Sequence, residues 1–434
     1  MKKRLPNIIL FLSDDLGYND LSCYVPDRHH TPHIDRLAGE GVRFTDFHSN
    51  GAVCSPTRAA LLTGRYPQRC GVERVLPGIK PGGGKARAGE RATLSPSDFN
   101  LGRAFAQAGY ATAFFGKYHT GYLPDQSPLK MGFGEFRGIC GGMDHHSRYN
   151  RWGALNWWVG ETPQQQDGYA TDLITDHGLR FITEHRDEPF LLYLPDWCVH
   201  FPWQGPHDPA DFRDAVDNDR TPDKWGSQYP RRHRQAYREM VEAQDRNLGR
   251  IADTLEALGL REDTLLIFCS DNGGHHEVTD NAPLRGHKGD MFEGGHRVPA
   301  FCRWPGRIPA GRVSQDAAMT MDLLPTLLSI AGIAPPQGRD FDGIDLSAHL
   351  FRGTPLPERP LFWRVGSEKA AARQGRWKYV RQGGREWLFD LADDLGESTD
   401  LLVGYPDRAA RLRQALAHWE QDVDTSYQLS RSRA

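Results

Sequence analysis

Two short acidic stretches in this chain each follow an apolar run that reads as a buried strand. Ile8 to Leu12 leads through Ser13 into Asp14-Asp15-Leu16-Gly17. Leu265 to Cys269 leads through Ser270 into Asp271-Asn272-Gly273-Gly274. In an open α/β sheet, ligands gather beyond the carboxyl ends of the strands. If the two strands are parallel neighbours, Asp14, Asp15, Asp271 and Asn272 converge on one edge. Three carboxylates and an amide oxygen are hard ligands, suited to Ca²⁺ or Mg²⁺ rather than zinc. For either pair taken alone, turn initiation is the plainer reading.

A second kind of chemistry is suggested by Cys54-Ser55-Pro56-Thr57-Arg58-Ala59-Ala60-Leu61-Leu62-Thr63-Gly64-Arg65. Pro56 suits the first turn of a helix that the following residues can continue. A nucleophile at a helix N-terminus faces unpaired N–H groups and the positive end of the dipole, where an anion is welcome. Arg58 lies one turn on and can point back at the same anion. By itself, Cys54 could equally be a buried structural cysteine. Three further groups stand at comparable places. Lys117 and His119 lie in Gly116-Lys117-Tyr118-His119, after a strand over Ala111 to Phe115. His200 lies in Val199-His200-Phe201-Pro202-Trp203, and Lys288 in His287-Lys288-Gly289-Asp290-Met291-Phe292-Glu293-Gly294-Gly295-His296-Arg297-Val298-Pro299.

The Cys54 run resembles the signature of type I sulfatases of the alkaline phosphatase superfamily, C-x-P-[ST]-R followed by L-T-G-R. Gly116–His119 is similar to that family's G-K-x-H element, and the Lys288 run to its K-G-x-x-x-E-G-G-x-R-V-P element. His200 matches a P-H-x-P-like element, with Val199 in place of the usual residue. The resemblance covers Asn7 to about Leu401. It implies that a maturation enzyme oxidises Cys54 to formylglycine, whose hydrate is the nucleophile. It implies one divalent metal, Ca²⁺ with Mg²⁺ as the alternative, held by Asp14, Asp15, Asp271, Asn272 and residue 54. Arg58, Lys117 and the metal would clamp the sulfate. His119 would take a proton from the second hydroxyl, and His200 with Lys288 would serve the leaving oxygen. Glu293 and Arg297 read as structural supports. The reaction implied is hydrolysis of sulfate monoesters.

The nearest rival is a phosphonate monoester or phosphate diester hydrolase of the same superfamily, whose second metal element resembles Asp-His where this chain has Asp271-Asn272. A non-catalytic binding protein would require loss of a reacting residue, and none is missing. A two-zinc phosphatase would need a Ser or Thr nucleophile and more Asp/His ligands. Gly141 to Tyr149 stands where sulfatases carry substrate loops, which makes Asp144 and His145 candidates for substrate contact. Trp152, Trp157, Trp158 and Trp203 could stack on sugar faces, although packing in the core explains such aromatics as well. With no long apolar entry segment, a sulfated carbohydrate is the expected substrate class.

These residues need a scaffold. The predicted order alternates strands with helices: a helix from Pro32 capped by Thr31, a strand over Val42–Phe47, helices over Leu101–Ala108 and roughly Tyr169–His185, a strand over Phe190–Leu194, and a long helix from about Arg231 to Leu258. That pattern predicts an α/β fold with a large, mostly parallel sheet flanked by helices. Beyond Gly338–Gly353 the pattern changes to short strands over Pro360–Val365, Arg376–Arg381 and Glu386–Asp390, then a helix over about Pro406–Val423. A small antiparallel sheet plus helix is expected there, with domains 1–340 and 341–434.

The 434 residues carry a formal charge of −3 and 38% apolar residues, so a nucleic-acid footprint is missing. Arg231-Arg232-His233-Arg234 reads as a solvated helix start and Gly82-Gly83-Gly84 as a mobile loop. Seven scattered cysteines make no disulfide or zinc pattern. No run reaches the roughly 18 apolar residues of a membrane span. The basic start Met1-Lys2-Lys3-Arg4 lacks the apolar length and cleavage site of a signal peptide. The chain as it stands is therefore expected in the cytoplasm, or in the periplasm or medium if a leader was removed.

Overall fold

The computed structural model describes residues 5–77, 93–150, 153–208 and 229–432. Gly82-Gly83-Gly84, Trp152 and the side chain of Arg231 lie outside them. Among the described residues a ten-stranded sheet runs in the order Arg312–Ser314, Val42–Phe44, Ala300–Arg303, Thr264–Ser270, Asn7–Ser13, Phe190–Pro195, Ala111–Lys117, Glu135–Ile139, Trp158–Val159, Thr162–Pro163. Its centre is parallel. Asn7–Ser13 pairs on one side with Phe190–Pro195 and on the other with Thr264–Ser270, in register from Asn7↔Thr264 to Ser13↔Ser270.

The central strand is apolar along its length because both faces are covered. Ile8, Leu10 and Leu12 enter a core with Leu101, Phe105, Leu323 and Leu327. Ile9 and Phe11 enter the opposite one with Ile174, Phe181, Met240, Leu248, Ile251 and Leu255. The helices Leu101–Gln107 and Leu323–Ala331 thus lie on one face, and Ala170–Glu184 and Tyr229–Ala257 on the other. Each fully buried aliphatic side chain contributes about 1.5–3 kcal/mol. Among the described residues no helix is long and apolar enough to cross a membrane.

Several elements differ locally from expectation. The strand expected over Val42–Phe47 is two pieces, Val42–Phe44 and Phe47–His48. Between them Asp46 turns its carboxylate inward to Arg373 Nη1 and Nη2, at 2.7 and 2.6 Å. Thr31 does not cap its helix: its hydroxyl donates to Asp35 Oδ1 at 3.1 Å instead of accepting a helix N–H. Ala300–Arg303 runs antiparallel to both neighbours.

The C-terminal sheet is antiparallel, in the order Leu361–Val365, Lys369–Gln374, Trp377–Gln382, Arg385–Asp390. Its second strand was not anticipated. The helix Pro406–Ser432 runs beyond the expected end and packs Leu412, Leu416, Trp419 and Val423 into a core shared with Tyr66, Phe362 and Trp363.

Candidate active site

The parallel register delivers both acidic stretches to one place. Asp271 N donates to Ser13 O (3.0 Å), and Asp15 N to Asp271 Oδ1 (3.2 Å). Asp14 N donates to Cys198 O and Val199 N to Asp14 O (2.9 and 2.7 Å), which ties in the loop that carries His200. Gly273 follows Asn272 because the chain passes very close: a Cβ there would lie 1.8 Å from Gly294 O. That contact sets the Lys288 run against the same sheet edge.

Cys54 is the first residue of the buried helix Cys54–Thr63, which Gly64 closes in the left-handed region at φ 68°. Its Sγ lies 3.5 Å from Asp14 Oδ1, 4.0 Å from Asp15 Oδ1 and 3.5 Å from Lys117 Nζ. Burial pushes the thiol above its ordinary pKa. Lys117 and Lys288 oppose this without reversing it, and Asp271 and Asp14 add to it. A thiol kept protonated is not a nucleophile, so two nearby lysines do not activate Cys54 as it stands.

Cations surround the carboxylates. One turn beyond Cys54, Arg58 donates from Nε and Nη2 to Asp271 Oδ2 (3.0 and 2.7 Å) and from Nη1 to Lys117 O (2.7 Å). Lys117 Nζ donates to Asp14 Oδ2 at 2.7 Å, and Lys288 Nζ to Asp15 Oδ2 at 2.7 Å. Burial would raise the pKa of Asp15, but Lys288, His200 and Lys117 together hold it well below the usual carboxylate range. Asp271 is pushed up to about 6, by burial and then by Asp14, against Arg58 and Lys117.

Asn272 Oδ1 and His119 Nδ1 are among the buried atoms without hydrogen-bond partners. Asn272 Nδ2 donates to Asp15 Oδ1 (2.8 Å), while Asn272 Oδ1 has no hydrogen bond. His119 Nε2 donates to Leu76 O (2.9 Å), so Nδ1 keeps its lone pair and is also unpartnered. An unsatisfied buried polar atom costs about 1–3 kcal/mol. An orphaned amide oxygen beside three carboxylates fits a hard cation. Asp14, Asp15, Cys54 and His200 present donor atoms within 4.8 Å of one another. Asp271 stands outside that group, with Oδ2 on Arg58.

Burial, then Lys117, holds His119 well below the ordinary imidazole pKa; burial, Lys117 and Lys288 do the same for His200. His200 Nδ1 donates to Phe201 O (2.5 Å), which leaves Nε2 facing Asp15 Oδ2 at 3.7 Å.

The candidate substrate residues sit differently. Asp144 is buried and accepts at Oδ1 from His146 N and Ser147 N (2.8 and 2.7 Å) and at Oδ2 from Gln204 Nε2 (2.7 Å). Those contacts brace its own loop. His145 Nε2 donates to His200 O at 3.1 Å. Trp203 packs with Phe201, His233 and His275, while Trp157 and Trp158 are core residues. One neighbour was missed. Trp197 stacks on His200 with centroids 4.4 Å apart, and Lys117 Nζ lies 4.7 Å from its ring centroid. Its signal was available, since Asp196 and Trp197 follow a strand ending at the same edge. Glu293 accepts from Arg297 Nη1 at 3.2 Å, within a buried support beneath the site.

Comparison with known proteins agrees with this arrangement. The sulfatase family profile matches residues 6–333. N-acetylgalactosamine-6-sulfatase of Canis lupus familiaris is 34% identical over 400 residues, 86% of this chain and 71% of that protein. Arylsulfatase A of Homo sapiens is 30% identical over 474 residues, 95% of this chain and 86% of that protein. The crystal structure of Ps i-CgsB in complex with k-i-k-neocarrahexaose superposes with a TM-score of 0.82 at 26% identity, covering 96% of this chain and 93% of that one. The phosphonate monoester hydrolase of Agrobacterium radiobacter shares the fold at a TM-score of 0.68 and 23% identity, covering 96% of each chain. The chain therefore belongs to the sulfatase family of the alkaline phosphatase superfamily, and it is an enzyme, a sulfatase.

Proposed function

We propose that this sulfatase hydrolyses sulfate monoesters of a carbohydrate, with residue 54 as nucleophile in its formylglycine form and one divalent cation in the site. The observation that carries the reading is the seat of Cys54: a buried helix N-terminus within 4.0 Å of Asp14, Asp15 and Lys117. The N-acetylgalactosamine-6-sulfatase relatives and the neocarrahexaose-bound neighbour support a saccharide substrate. The catalytic unit is 1–340, and 341–434 forms a C-terminal unit.

Asp14, Asp15, Asp271 and Asn272 would hold the cation, Ca²⁺ or Mg²⁺, together with residue 54. When bound, it supplies Lewis-acid charge that favours an ionised oxygen nearby. Converted by a maturation enzyme and hydrated, residue 54 would supply one hydroxyl whose oxygen bonds to sulfur as the S–O bond to the ester's leaving oxygen breaks, and a second whose deprotonation re-forms the aldehyde as the C–O bond to sulfate breaks. Arg58, Lys117 and Lys288 neutralise the sulfuryl oxygens, each such donor being worth about 3 kcal/mol of barrier. His119, neutral with Nδ1 free, takes the proton of the second hydroxyl. His200 and Lys288 face the leaving oxygen; an anion between them favours protonation of Nε2. His145 steadies the His200 carbonyl, Asp144 holds the loop that carries His145, and Trp203 lines the saccharide side.

The test uses enzyme matured in the presence of a formylglycine-generating enzyme. Sulfate release from a panel of sulfated sugars, and 4-nitrophenyl sulfate set against bis-4-nitrophenyl phosphate, should show the higher kcat/KM for sulfate esters. A clear preference for the diester would instead favour the phosphonate or diester hydrolase reading. Exhaustive chelation should abolish turnover, and metal analysis should find one cation per chain.

A further inference from the structure

Lys288 reaches Asp15 from a loop that the catalytic sheet holds on one side only. On that side Lys288 N donates to Gly274 O (3.1 Å) and Gly289 N to Ala52 O (2.7 Å), two residues before Cys54. On the other side the loop rests on the C-terminal sheet. Lys369 Nζ donates to Gly289 O at 2.7 Å. Gln382 Nε2 donates to Asp290 Oδ1 at 2.8 Å, and Gln382 Oε1 accepts from Met291 N at 2.9 Å. Lys369 and Gln382 are register partners on adjacent strands, so they stand side by side on one face. Together they engage the backbone on both sides of Asp290, while Asp290 Oδ2 accepts from His287 N at 3.2 Å. Gly289 has φ 90°, a region that offers no intrinsic preference for one loop shape in glycine, so external contacts must fix it.

We propose that the cross-strand pair Lys369–Gln382 is a positioning element for Lys288, by which the C-terminal sheet sets the charge that serves the leaving oxygen. The inference rests on the sulfatase reading above and assigns that sheet a part in the reaction. Each acts through the Gly289–Met291 segment that it bonds. Loosening the pair lets the Lys288 ammonium drift, and a displacement of about 1 Å can cost a catalytic group much of its effect.

The test compares Gln382→Ala and Lys369→Met with wild type and Lys288→Ala, all as matured, metal-loaded enzyme. Two substrates are used: an alkyl sugar sulfate, whose leaving oxygen needs stabilising, and 4-nitrophenyl sulfate, whose leaving group needs less. For each pairing variant kcat on the sugar sulfate should fall about tenfold, with KM within about twofold and a smaller loss on the aryl ester. Hydrogen exchange in the 287–293 segment should quicken at the Met291 amide, whose acceptor Gln382→Ala removes. Equal losses on both substrates, or unchanged exchange at Met291, would overturn the proposal. If Lys288→Ala shows the leaving-group-selective loss and Gln382→Ala does not, the pairing role fails and the sulfatase reading stands. If wild type releases no sulfate from any ester, the sulfatase reading fails and takes this one with it.

Discussion

Two buried charge clusters in this molecule have nearly the same inventory and opposite character. At the sheet edge Asp14, Asp15 and Asp271 meet Arg58, Lys117 and Lys288, with His119 and His200 beside them. Beneath the C-terminal sheet Asp46, Glu293 and Glu397 meet Arg297, Arg373 and Lys378, with His48 and His296 beside them. Each holds one carboxyl that burial pushes up, Asp271 to about 6 and Glu397 to about 7. The difference lies in closure. In the second cluster the two imidazoles are bonded to each other at 3.0 Å, His48 Nε2 reaches Asp46 (2.8 Å), Lys378 Nζ reaches His296 Nε2 (3.1 Å), and Glu397 Oε1, though without a hydrogen bond, faces Lys378 Nζ at 2.8 Å. In the first, Asn272 Oδ1 and His119 Nδ1 have no partner, and Lys288 and His200 keep 16% and 21% of their side-chain surface. Buried charge alone therefore does not mark a reaction site. In the proposed active site buried charge comes with unused lone pairs and an opening.

The sharpest way to break this contrast is to remove one member from each cluster. Cys54→Ala should lower sulfate-ester turnover by about 10⁵-fold or more. Its stability should change by only about 1 kcal/mol, since a neutral thiol is exchanged for a methyl group. Urea titration beside a 4-nitrophenyl sulfate assay checks both halves. Lys378→Met should do the reverse and show itself first in denaturation. It removes the cation that lies 2.9 and 2.8 Å from Glu293 and Glu397, leaving Glu293 to Arg297, and breaking a buried pair costs about 3–5 kcal/mol. A stable Lys378→Met protein would mean that the second cluster is not a structural lock.

The first cluster was largely legible and the second only at Glu293 and Arg297, for a physical reason. Asp14-Asp15 and Asp271-Asn272 each end an apolar run, and the carboxyl-edge rule for parallel strands puts such residues together without any contact being known. Lys378 on the C-terminal sheet meets Glu293 at the start of the short helix Glu293–His296, and nothing local in either segment points to the other. The strand Lys369–Gln374 was missed because Lys-Ala-Ala-Ala-Arg-Gln consists of good helix formers with no β-branched residue. Pairing on both edges overrides that preference. Asp144 shows a different limit. Its polarity and loop placement were visible, but a sequence does not say toward which side of a loop a carboxylate turns.

A milder change sharpens the contrast from within the proposed active site. Lys288→Ala should lower kcat/KM by about 10²-fold, the loss being larger for poor leaving groups. Its effect on unfolding should be smaller than that of Lys378→Met, because the Lys288 side chain retains some exposure and water can take over part of its role at Asp15. A variant as unstable as Lys378→Met would place Lys288 with the structural cations.

The smallest expected effect concerns protons. Glu397 rises from an ordinary 4.5 to about 7 because burial, with Glu293 close by, outweighs the attraction of Lys378. The folded protein then binds more protons than the unfolded chain between those values, so unfolding free energy falls as pH rises across that window. The stability this carboxyl contributes is complete below about pH 4.5 and is lost as pH passes through about 7. Glu397→Gln cannot titrate and should lack that slope. The stability of wild type minus that of the variant should therefore decline by about 1–3 kcal/mol between pH 5 and 8, measured by urea unfolding at several pH values. Lys378 is the cation that opposes burial here, so the decline should be steeper when Lys378→Met is the background. A flat difference would mean that Lys378 and the Glu293 amide, which donates to Glu397 Oε2 at 2.6 Å, keep the carboxylate ionised. The second cluster would then be three full ion pairs, closer in electrostatics to the reaction site than its closure suggests.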